Sequence, residues 1–339
     1  MKYCKMIANH SGGTEVLQLV EEDLPEAFGK MVRIKIRAAG VAFADVLIRE
    51  GVYPGMPNFP LTPGYDIVGI VDSIGDEVQA FRVGQIVAAL TITGGYAEYI
   101  LLPESELVLV PNGLDAAEAV SLVLNYVTAY QMLNREAKLQ SGDSILIHGA
   151  AGGVGTAMLQ LGKLMGLKMF GTASKGKHEL VNSLGGIPID YKSPDVEKQI
   201  RELVPDGFAA AYDATGEWLA TSFRLLRPNG LLIVFGASSL LEKGRKSFLK
   251  KIATYFRFSI FLRNFLPTQK RISFYTITNY KKLHPEWFKN DLQKLYEMLS
   301  KKEIKPVIAK RKPLTEAAYF HELLNHSAVT GKLVLTEEV

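Results

Sequence analysis

Hydrophobic and polar positions alternate along the first third of the chain. The stretch MVRIKIRAAGVAF alternates from Met31 to Ile36 and then runs apolar, the mark of a strand that buries one face and then both. YDIVGIVDSIG (Tyr65 to Gly75) predicts a second strand ending in a Gly-Asp turn. VGQIVAAL, GYAEYILLP and LVLVPNG follow at short intervals, punctuated by Gly, Pro and Asn. Short strands at such spacing predict a curled or barrel-like antiparallel sheet. Between them, LIREGVYPGMPNFPLTPG (Leu47 to Gly64) is rich in Pro and Gly and reads as a long irregular loop, the kind of segment on which sites sit.

The period changes further along. DAAEAVSLVLNYVTAYQMLN (Asp115 to Asn134) predicts a helix with Asp115 as its cap and Glu118 three residues on. Its apolar residues run almost all round, which predicts burial between two domains. SILIHGAAGGVGTAMLQLGKLMG (Ser144 to Gly166) reads as an apolar strand, a glycine turn, and a helix with Val154, Met158, Leu161 and Met165 on one face. Strand signals in KMFGTAS, GIPIDY, PDGFAAAYDATG and LRPNGLLIVFG then alternate with helical ones, starting with KHELVNSLG closed by Gly185. Strand–helix alternation predicts a parallel, doubly wound sheet. The last part predicts a helix from Trp287 to Lys301, a helix in TEAAYFHELLN and a closing strand in TGKLVLTEEV. The fold class is α/β, a β-rich domain beside a doubly wound one.

A length of 339 residues suits two such domains. The only cysteine, Cys4, excludes an intramolecular disulfide and a cysteine-rich zinc site. The N-terminus shows no secretory pattern and no run of 18 apolar residues occurs, so the expectation is a soluble, cytoplasmic protein. A net charge of +4 is too small to point to nucleic acid. Its distribution is less even. Between Lys243 and Pro285 stand eleven Lys or Arg and no Asp or Glu, with aromatics such as Phe248, Tyr255, Phe256 and Phe261 interleaved. Setting those eleven aside leaves 28 basic against 35 acidic residues elsewhere, so the rest of the chain is about −7. Such a segment predicts either weak, salt-sensitive attachment to an anionic membrane surface or a basic surface over aromatics buried at a subunit interface.

The candidate chemistry centres on the turn after Ile147. Gly149, Gly152 and Gly155 form a GxxGxxG variant of the dinucleotide fingerprint. One glycine serves the sharp turn, one lets a pyrophosphate touch backbone, and one lets helix and strand pack closely. The following helix offers its free N–H groups and positive dipole end to the phosphates. The turn as a whole, with Ala151, Gly153 and Val154, is the candidate cofactor contact. NAD-binding folds place an acid near the end of the second strand to hold the ribose 2′-hydroxyl. Here FGTASKGKH has no acid until Glu179 and offers Ser174, Lys175 and Lys177 instead, a set suited to a 2′-phosphate and hence to NADPH. Thr215 and Gly216 in YDATG, and Phe235 and Gly236 in VFGAS, stand at carboxyl ends of predicted strands, the edge that faces the ligand crevice. His148 reads as a packed core residue.

The phrases GVAFADVLIREGVYPG, LTPGYDIVGIVDSIG, GGYAEYILLP, LNYVTAYQML, IHGAAGGVG, FGTASKGKHE, IDYKSPD and GKLVL occur in an order that resembles the medium-chain dehydrogenase/reductase superfamily. Within it they are similar to the zinc-free quinone oxidoreductases of the zeta-crystallin group, closest to the vesicle-amine-transport branch. The resemblance implies a GroES-like catalytic domain over 1–122, a Rossmann NADPH-binding domain over 123–270, and a return to the catalytic domain over 271–339. It implies a homodimer that transfers hydride from NADPH to a quinone or an α,β-unsaturated carbonyl. By the same resemblance Ser174, Lys177 and Tyr191 match contacts to the NADPH phosphate, Thr128 lies near the nicotinamide carboxamide, and Lys332 in GKLVL joins the cofactor site. Tyr53 matches a tyrosine of the substrate cleft and is the candidate proton donor, with Asp45 as an orienting carboxylate rather than a base. One departure is Ala42, where the family has the asparagine of GVNF. Zinc-dependent relatives need a Cys/His/Asp-or-Cys ligand set. Here the first-ligand phrase reads Ala42 to Asp45 and the GHE phrase reads Gly64, Tyr65, Asp66. No zinc is expected, and the hydride acceptor must be polarised by hydrogen bonds. An alternative function is a membrane-surface or partner-binding protein that retains its nucleotide domain.

Overall fold

The computed structural model describes residues 1–236, 269–326 and 329–337. Lys243 to Arg263 of the basic segment therefore lie outside the described residues. The chain divides into two compact units, Met1–Val127 with Glu286–Val339, and Thr128–Pro285.

The first unit opens on a hairpin that alternation alone does not single out, β1 (Lys2–Ala8) against β2 (Leu17–Asp23). In β3 (Met31–Val41) burial alternates through Ile36 and is unbroken from Ala38 to Val41, following the change in sequence pattern. α1 (Phe43–Arg49) takes up the start of the stretch read as a loop. Its third residue, Asp45, reaches back to accept from the Ala42 N–H at 2.8 Å, half of a capping box. β4 (Asp66–Ile74), β5 (Ile86–Leu90), β6 (Tyr99–Pro103) and β7 (Val108–Leu109) are the expected short strands. Asp115 caps α2 (Ala116–Ser121), accepting from the Glu118 N–H at 2.9 Å.

Helical backbone continues through a π-helical turn at Leu122–Tyr126, α3 (Val127–Gln131) and a second π-helical turn at Met132–Glu136. The Ser121 hydroxyl back-bonds to the Ala117 carbonyl at 2.7 Å just ahead of the first π-turn, and such bonds loosen the helical ladder. As expected of a helix apolar all round, Val120, Leu122, Val123, Ala129, Met132 and Leu133 are buried.

The second unit runs β8 (Ser144–His148), α4 (Gly153–Leu164), β9 (Lys168–Ala173), α5 (His178–Ser183), β10 (Gly186–Asp190), α6 (Val196–Leu203), β11 (Phe208–Asp213), α7 (Leu219–Leu225), β12 (Leu226–Val234), β13 (Arg271–Phe274) and α8 (Ile277–Leu283). Its sheet has the order β10-β9-β8-β11-β12-β13, every pair parallel. The Pro-Asn-Gly expected as a turn ahead of β12 lies inside it. Asn229 takes φ 64°, and the register to β11 slips between Phe208 and Ala210, so the three residues form a bulge. β13 pairs with β12, so residues 271–274, expected in the catalytic domain, belong to this sheet, and the chain returns to the first unit at Glu286. Leu146, Phe170, Phe208 and Leu232 of the sheet pack with Ile200 of α6 and Phe223 of α7. The Phe170 and Phe208 rings meet edge to face at 5.5 Å. Full burial of one such side chain contributes about 1.5–3 kcal/mol.

The chain then adds α9 (Pro285–Ser300), β14 (Ile308–Lys312), α10 (Ala317–Asn325) and β15 (Lys332–Thr336). The sheet of the first unit has the order β14-β15-β3-β4-β5-β7, with β6 also on β3. All pairs are antiparallel except β14 with β15. β3 is long enough to be shared: β6 pairs along Met31 to Lys35 and β15 along Ala38 to Val41. The first unit is thus the GroES-like β-rich domain and the second the Rossmann domain. Among the described residues no helix is long and apolar enough to cross a membrane.

Candidate functional site

The glycine turn of the second unit is shaped by three different constraints. Gly149 takes φ 72°, which favours glycine. A Cβ on Gly155 would lie 2.4 Å from the Gly149 carbonyl oxygen and 2.7 Å from Ala150 backbone, so only glycine lets α4 approach the end of β8. Gly152 caps α4 with ordinary backbone (φ −79°, ψ 177°), and a Cβ there would meet only the Gly149 oxygen, at 3.3 Å. Space therefore lies open beside Gly152 where an anion would approach. Gly153, Val154 and Gly155 make the first turn of the twelve-residue helix α4, whose N–H groups have no partner within the helix. Ala151 is buried behind them. These residues fit a pyrophosphate.

Sheet register brings the next group together. Ala173 of β9 pairs with Asp190 of β10, so Ser174 and Tyr191 leave the sheet on neighbouring strands. Ser174 starts the short 3-10 turn Lys175–Lys177, its carbonyl accepting from the Lys177 N–H at 2.8 Å. Lys177 is half-buried, and burial lowers its pKa. Tyr191 is exposed, with the Lys192 ammonium 5.9 Å from its ring centre. A hydroxyl, a cation and an open aromatic at one strand edge suit a phosphomonoester.

At the ends of β11 and β12 the organiser is Asp213, which sequence reasoning missed. Fully buried, it accepts from the N–H groups of Thr215 and Gly216 at 2.8 Å each, the Thr215 hydroxyl at 3.0 Å, and the Trp218 N–H at 3.2 Å. The Asp-x-Thr-Gly spacing, an Asx-type turn, is the signal that marks it. Gly236 is needed because a Cβ would meet the Ala214 carbonyl oxygen at 2.1 Å, and the Phe235 N–H bonds the Asp213 carbonyl at 3.1 Å. His148 is buried, stacked on Trp218 at 5.1 Å, with its nitrogens on the Thr172 and Ser222 hydroxyls. Burial lowers its pKa to about 4, so the ring is neutral. Thr172 in turn accepts from the Gly149 N–H at 3.3 Å. Thr128, on α3, is buried.

In the first unit, Asp45 is fully buried and accepts from the N–H groups of Ala42 at 2.8 Å and Gly64 at 3.0 Å. Burial pushes its carboxyl up to about 7, with Asp66 adding to the rise and Lys332 opposing it. It touches backbone from within the core. Tyr53, half-buried, meets the hydroxyl of buried Tyr65 at 2.5 Å, rings edge to face. Lys332, grouped with the cofactor residues by resemblance, is buried, its ammonium 3.0 and 3.1 Å from the two oxygens of buried Asp66. Gly40 makes room for that pair, because a Cβ there would lie 2.2 Å from Asp66 Oδ1 and 2.4 Å from Lys332 Cε. The buried polar side chains of Arg49, Tyr96 and His321 in the same unit carried no sequence signal beyond their polarity.

The same partners decide the fit to zinc. Asp66 is committed to an ammonium, Asp45 to two amides, and His321 to Arg49 and Tyr96. Among the described residues no three His, Cys, Asp or Glu converge to hold a metal ion. The donor set does not fit a zinc site.

Residues 29–112 match the family described as alcohol dehydrogenase GroES-like domain, and residues 186–335 match that described as zinc-binding dehydrogenase. The zebrafish (Danio rerio) synaptic vesicle membrane protein VAT-1 homolog is 30% identical over 342 residues, covering 99% of this chain and 70% of the relative. The mouse (Mus musculus) quinone oxidoreductase is 32% identical over 333 residues, 96% of this chain and 95% of the relative. A mycobacterial protein solved in complex with NADPH superposes with a TM-score of 0.84 at 25% identity, covering 98% of this chain and 99% of that one. With two relatives matched over nearly its whole length and its GroES-like and Rossmann units in family order, the chain belongs to the medium-chain dehydrogenase/reductase superfamily, among its quinone oxidoreductases and VAT-1 homologues.

Proposed function

We propose that this protein is an NADPH-dependent, zinc-independent oxidoreductase that transfers hydride to a quinone or an α,β-unsaturated carbonyl, acting as a homodimer. The observation that carries the reading is the glycine turn at the head of α4 combined with Ser174 and Tyr191 at adjacent strand ends and Lys177 in the turn that Ser174 starts. Similarity to a quinone oxidoreductase and to a protein solved with NADPH supports the substrate class and the cofactor. NADPH, when bound, supplies the hydride. The N–H groups of Gly153, Val154 and Gly155 hold its pyrophosphate, Ser174 and Lys177 take the 2′-phosphate, and Tyr191 flanks it. Thr128, Thr215, Gly216, Phe235 and Gly236 line the nicotinamide end. Tyr53 donates a proton to the acceptor oxygen, with its hydroxyl oriented by Tyr65.

Lys177→Ala is expected to raise the NADPH dissociation constant about tenfold, the ~1.4 kcal/mol that one charge-assisted bond to phosphate supplies, and to leave NADH nearly unchanged. Titrating both nucleotides into both proteins checks this, and equal curves for NADPH and NADH in the unaltered protein would refute the cofactor choice. Chelator treatment is expected to leave turnover intact. Stoichiometric zinc by elemental analysis, with activity lost on its removal, would contradict the zinc-independent mechanism.

The name of the VAT-1 relative and the basic aromatic segment favour a second reading, a membrane-surface protein with a retained nucleotide domain. Steady-state NADPH oxidation against a panel of quinones and enones, beside co-sedimentation with anionic vesicles at low and high salt, separates the two. Turnover supports the reductase. Salt-sensitive vesicle binding without turnover supports the alternative.

A further inference from the structure

The glycine turn of the second unit hangs on one residue of the neighbouring strand. Thr172 on β9 stands opposite His148, the last residue of β8. The Thr172 carbonyl accepts from the Ala150 N–H at 3.1 Å, and its hydroxyl oxygen accepts from the Gly149 N–H at 3.3 Å. Among the described residues the Gly149 N–H has no other partner. The turn then closes on itself, with the Gly152 N–H on the Gly149 carbonyl at 3.0 Å, and α4 starts there. The Thr172 hydroxyl has one other partner among the described residues, His148, whose Nδ1 lies 3.2 Å away. That contact fixes how the hydroxyl presents its lone pairs to Gly149.

The imidazole is itself held on two further sides. Its Nε2 lies 2.8 Å from the Ser222 hydroxyl on α7. Its ring stacks on that of Trp218, with 5.1 Å between centres and 11° between planes. The Trp218 N–H donates at 3.2 Å to Asp213, the carboxylate that also holds Thr215 and Gly216. The turns after β8 and β11 lie against each other, since a Cβ on Gly149 would stand 3.9 Å from that of Ala214. Burial keeps the ring neutral at ordinary pH, although Asp213 favours its charge. A neutral ring offers one donor and one acceptor, and each hydroxyl can do either, so both tautomers satisfy Thr172 and Ser222. Stack and hydroxyls together tie the glycine turn to the turn that bears Thr215 and Gly216.

We propose that His148 is a positioning residue: through Thr172 it sets the Gly149 N–H, and with it the glycine turn, in the shape that receives a pyrophosphate, while Trp218 and Ser222 fix its ring. The effect on affinity rests on the NADPH reading; the hold on the turn does not. The test compares His148→Phe, which keeps an aromatic ring and loses both hydrogen bonds, with His148→Asn, whose amide keeps a polar atom in place of Nδ1. Two ligands are titrated, NADPH and adenosine 2′-monophosphate, which reaches the Ser174 and Lys177 end but carries no pyrophosphate. The NADPH dissociation constant is expected to rise about tenfold in His148→Phe and to stay within about threefold in His148→Asn, with adenosine 2′-monophosphate unchanged in both. A general loosening of the unit would weaken both ligands together. His148→Phe combined with Thr172→Val is expected to bind NADPH no worse than Thr172→Val alone, because the bond is already gone. Without nucleotide, amide exchange at Gly149 is expected to quicken about tenfold in His148→Phe and in Thr172→Val, and to stay within about threefold in His148→Asn. Unchanged NADPH affinity in His148→Phe, equal losses for the two ligands, additive losses in the double variant, or a His148→Asn protein as weak as His148→Phe would overturn the proposal. His148→Leu gives the same reading should the phenylalanine variant not fold, and failure of both to fold would assign His148 to core packing and overturn it as well. An unaltered protein that binds neither nucleotide would instead overturn the NADPH reading and leave Gly149 exchange to decide the role of His148.

Discussion

Replacing Lys332 by Met is expected to destabilise the first unit by about 3–5 kcal/mol, because removing one partner strands a buried charge on the other. The Lys332 ammonium lies 3.0 and 3.1 Å from the Asp66 oxygens, and the two side chains are only 3% and 0% exposed. Burial raises the Asp66 pKa, and the neighbouring lysine charge opposes that rise. Methionine keeps the length and loses the charge, so the carboxylate is left to protonate or to open the core. A double change to Asp66→Asn with Lys332→Met should recover much of the loss, since a buried pair exchanged for neutral groups is often close to neutral. Gly40→Ala attacks the same pair from the side, as its Cβ would enter the contact. The protein has two tryptophans, Trp218 in the second unit and Trp287 in the first. Fluorescence-detected denaturation in a Trp218→Phe background therefore reads the first unit alone. A Lys332→Met protein that unfolds at the unaltered midpoint would show that the pair carries no such energy.

The second large effect separates two glycines three residues apart. Gly155→Val is expected to cost the second unit more than about 3 kcal/mol, beyond the usual range for overpacking. The atoms its Cβ would strike, at 2.4 and 2.7 Å, are backbone and cannot swing aside. Gly152→Val is expected to leave stability almost unchanged, because its backbone is ordinary and the one neighbour of a Cβ stands at 3.3 Å. Its side chain fills the space beside the helix N-terminus, so NADPH affinity should fall at least 100-fold, about 2.7 kcal/mol. Nucleotide titration and thermal unfolding of the two variants make the comparison. NADPH binding within threefold of the unaltered protein in Gly152→Val would mean that the phosphate turn has been placed on the wrong residues.

The two glycines illustrate what local pattern carries. The strand, turn and helix around Gly149, Gly152 and Gly155, the alternation of β3, and the strand ends bearing Ser174 and Thr215 are all legible, since each depends on residues within about ten of one another. Pairings across long stretches of chain were not. Tyr96 and His321 meet across 225 residues and Asp66 and Lys332 across 266. Neither position differs locally from an ordinary polar residue. Lys332 drew notice through resemblance and was grouped with the cofactor. What a buried cation does is set by its partner, and that partner lies on another strand. The hairpin β1–β2 was missed for a related reason. In KYCKMIA the charged residues interrupt the apolar ones, and burial follows contacts to distant backbone such as that of Tyr96 and Leu61. The Pro-Asn-Gly bulge shows the converse limit, where turn residues were recognised but their use inside a strand depends on the register of the neighbour.

The placement of β15 between β14 and β3 bears on how the protein is made. The Rossmann unit is one continuous stretch, Thr128–Pro285, and can complete its sheet while later residues are still being added. The GroES-like unit cannot, because the edge of β3 from Ala38 to Val41 waits for Leu333 to Thr336. Asp66 waits 266 residues for its counter-charge. At cellular elongation rates of about 5–20 residues per second that interval lasts roughly 13–50 s. For that time the nascent chain holds an unpaired strand edge and an uncompensated carboxylate in a half-built sheet. That edge is the place where a growing chain is most open to non-native strand pairing, and where a chaperone has most to shield.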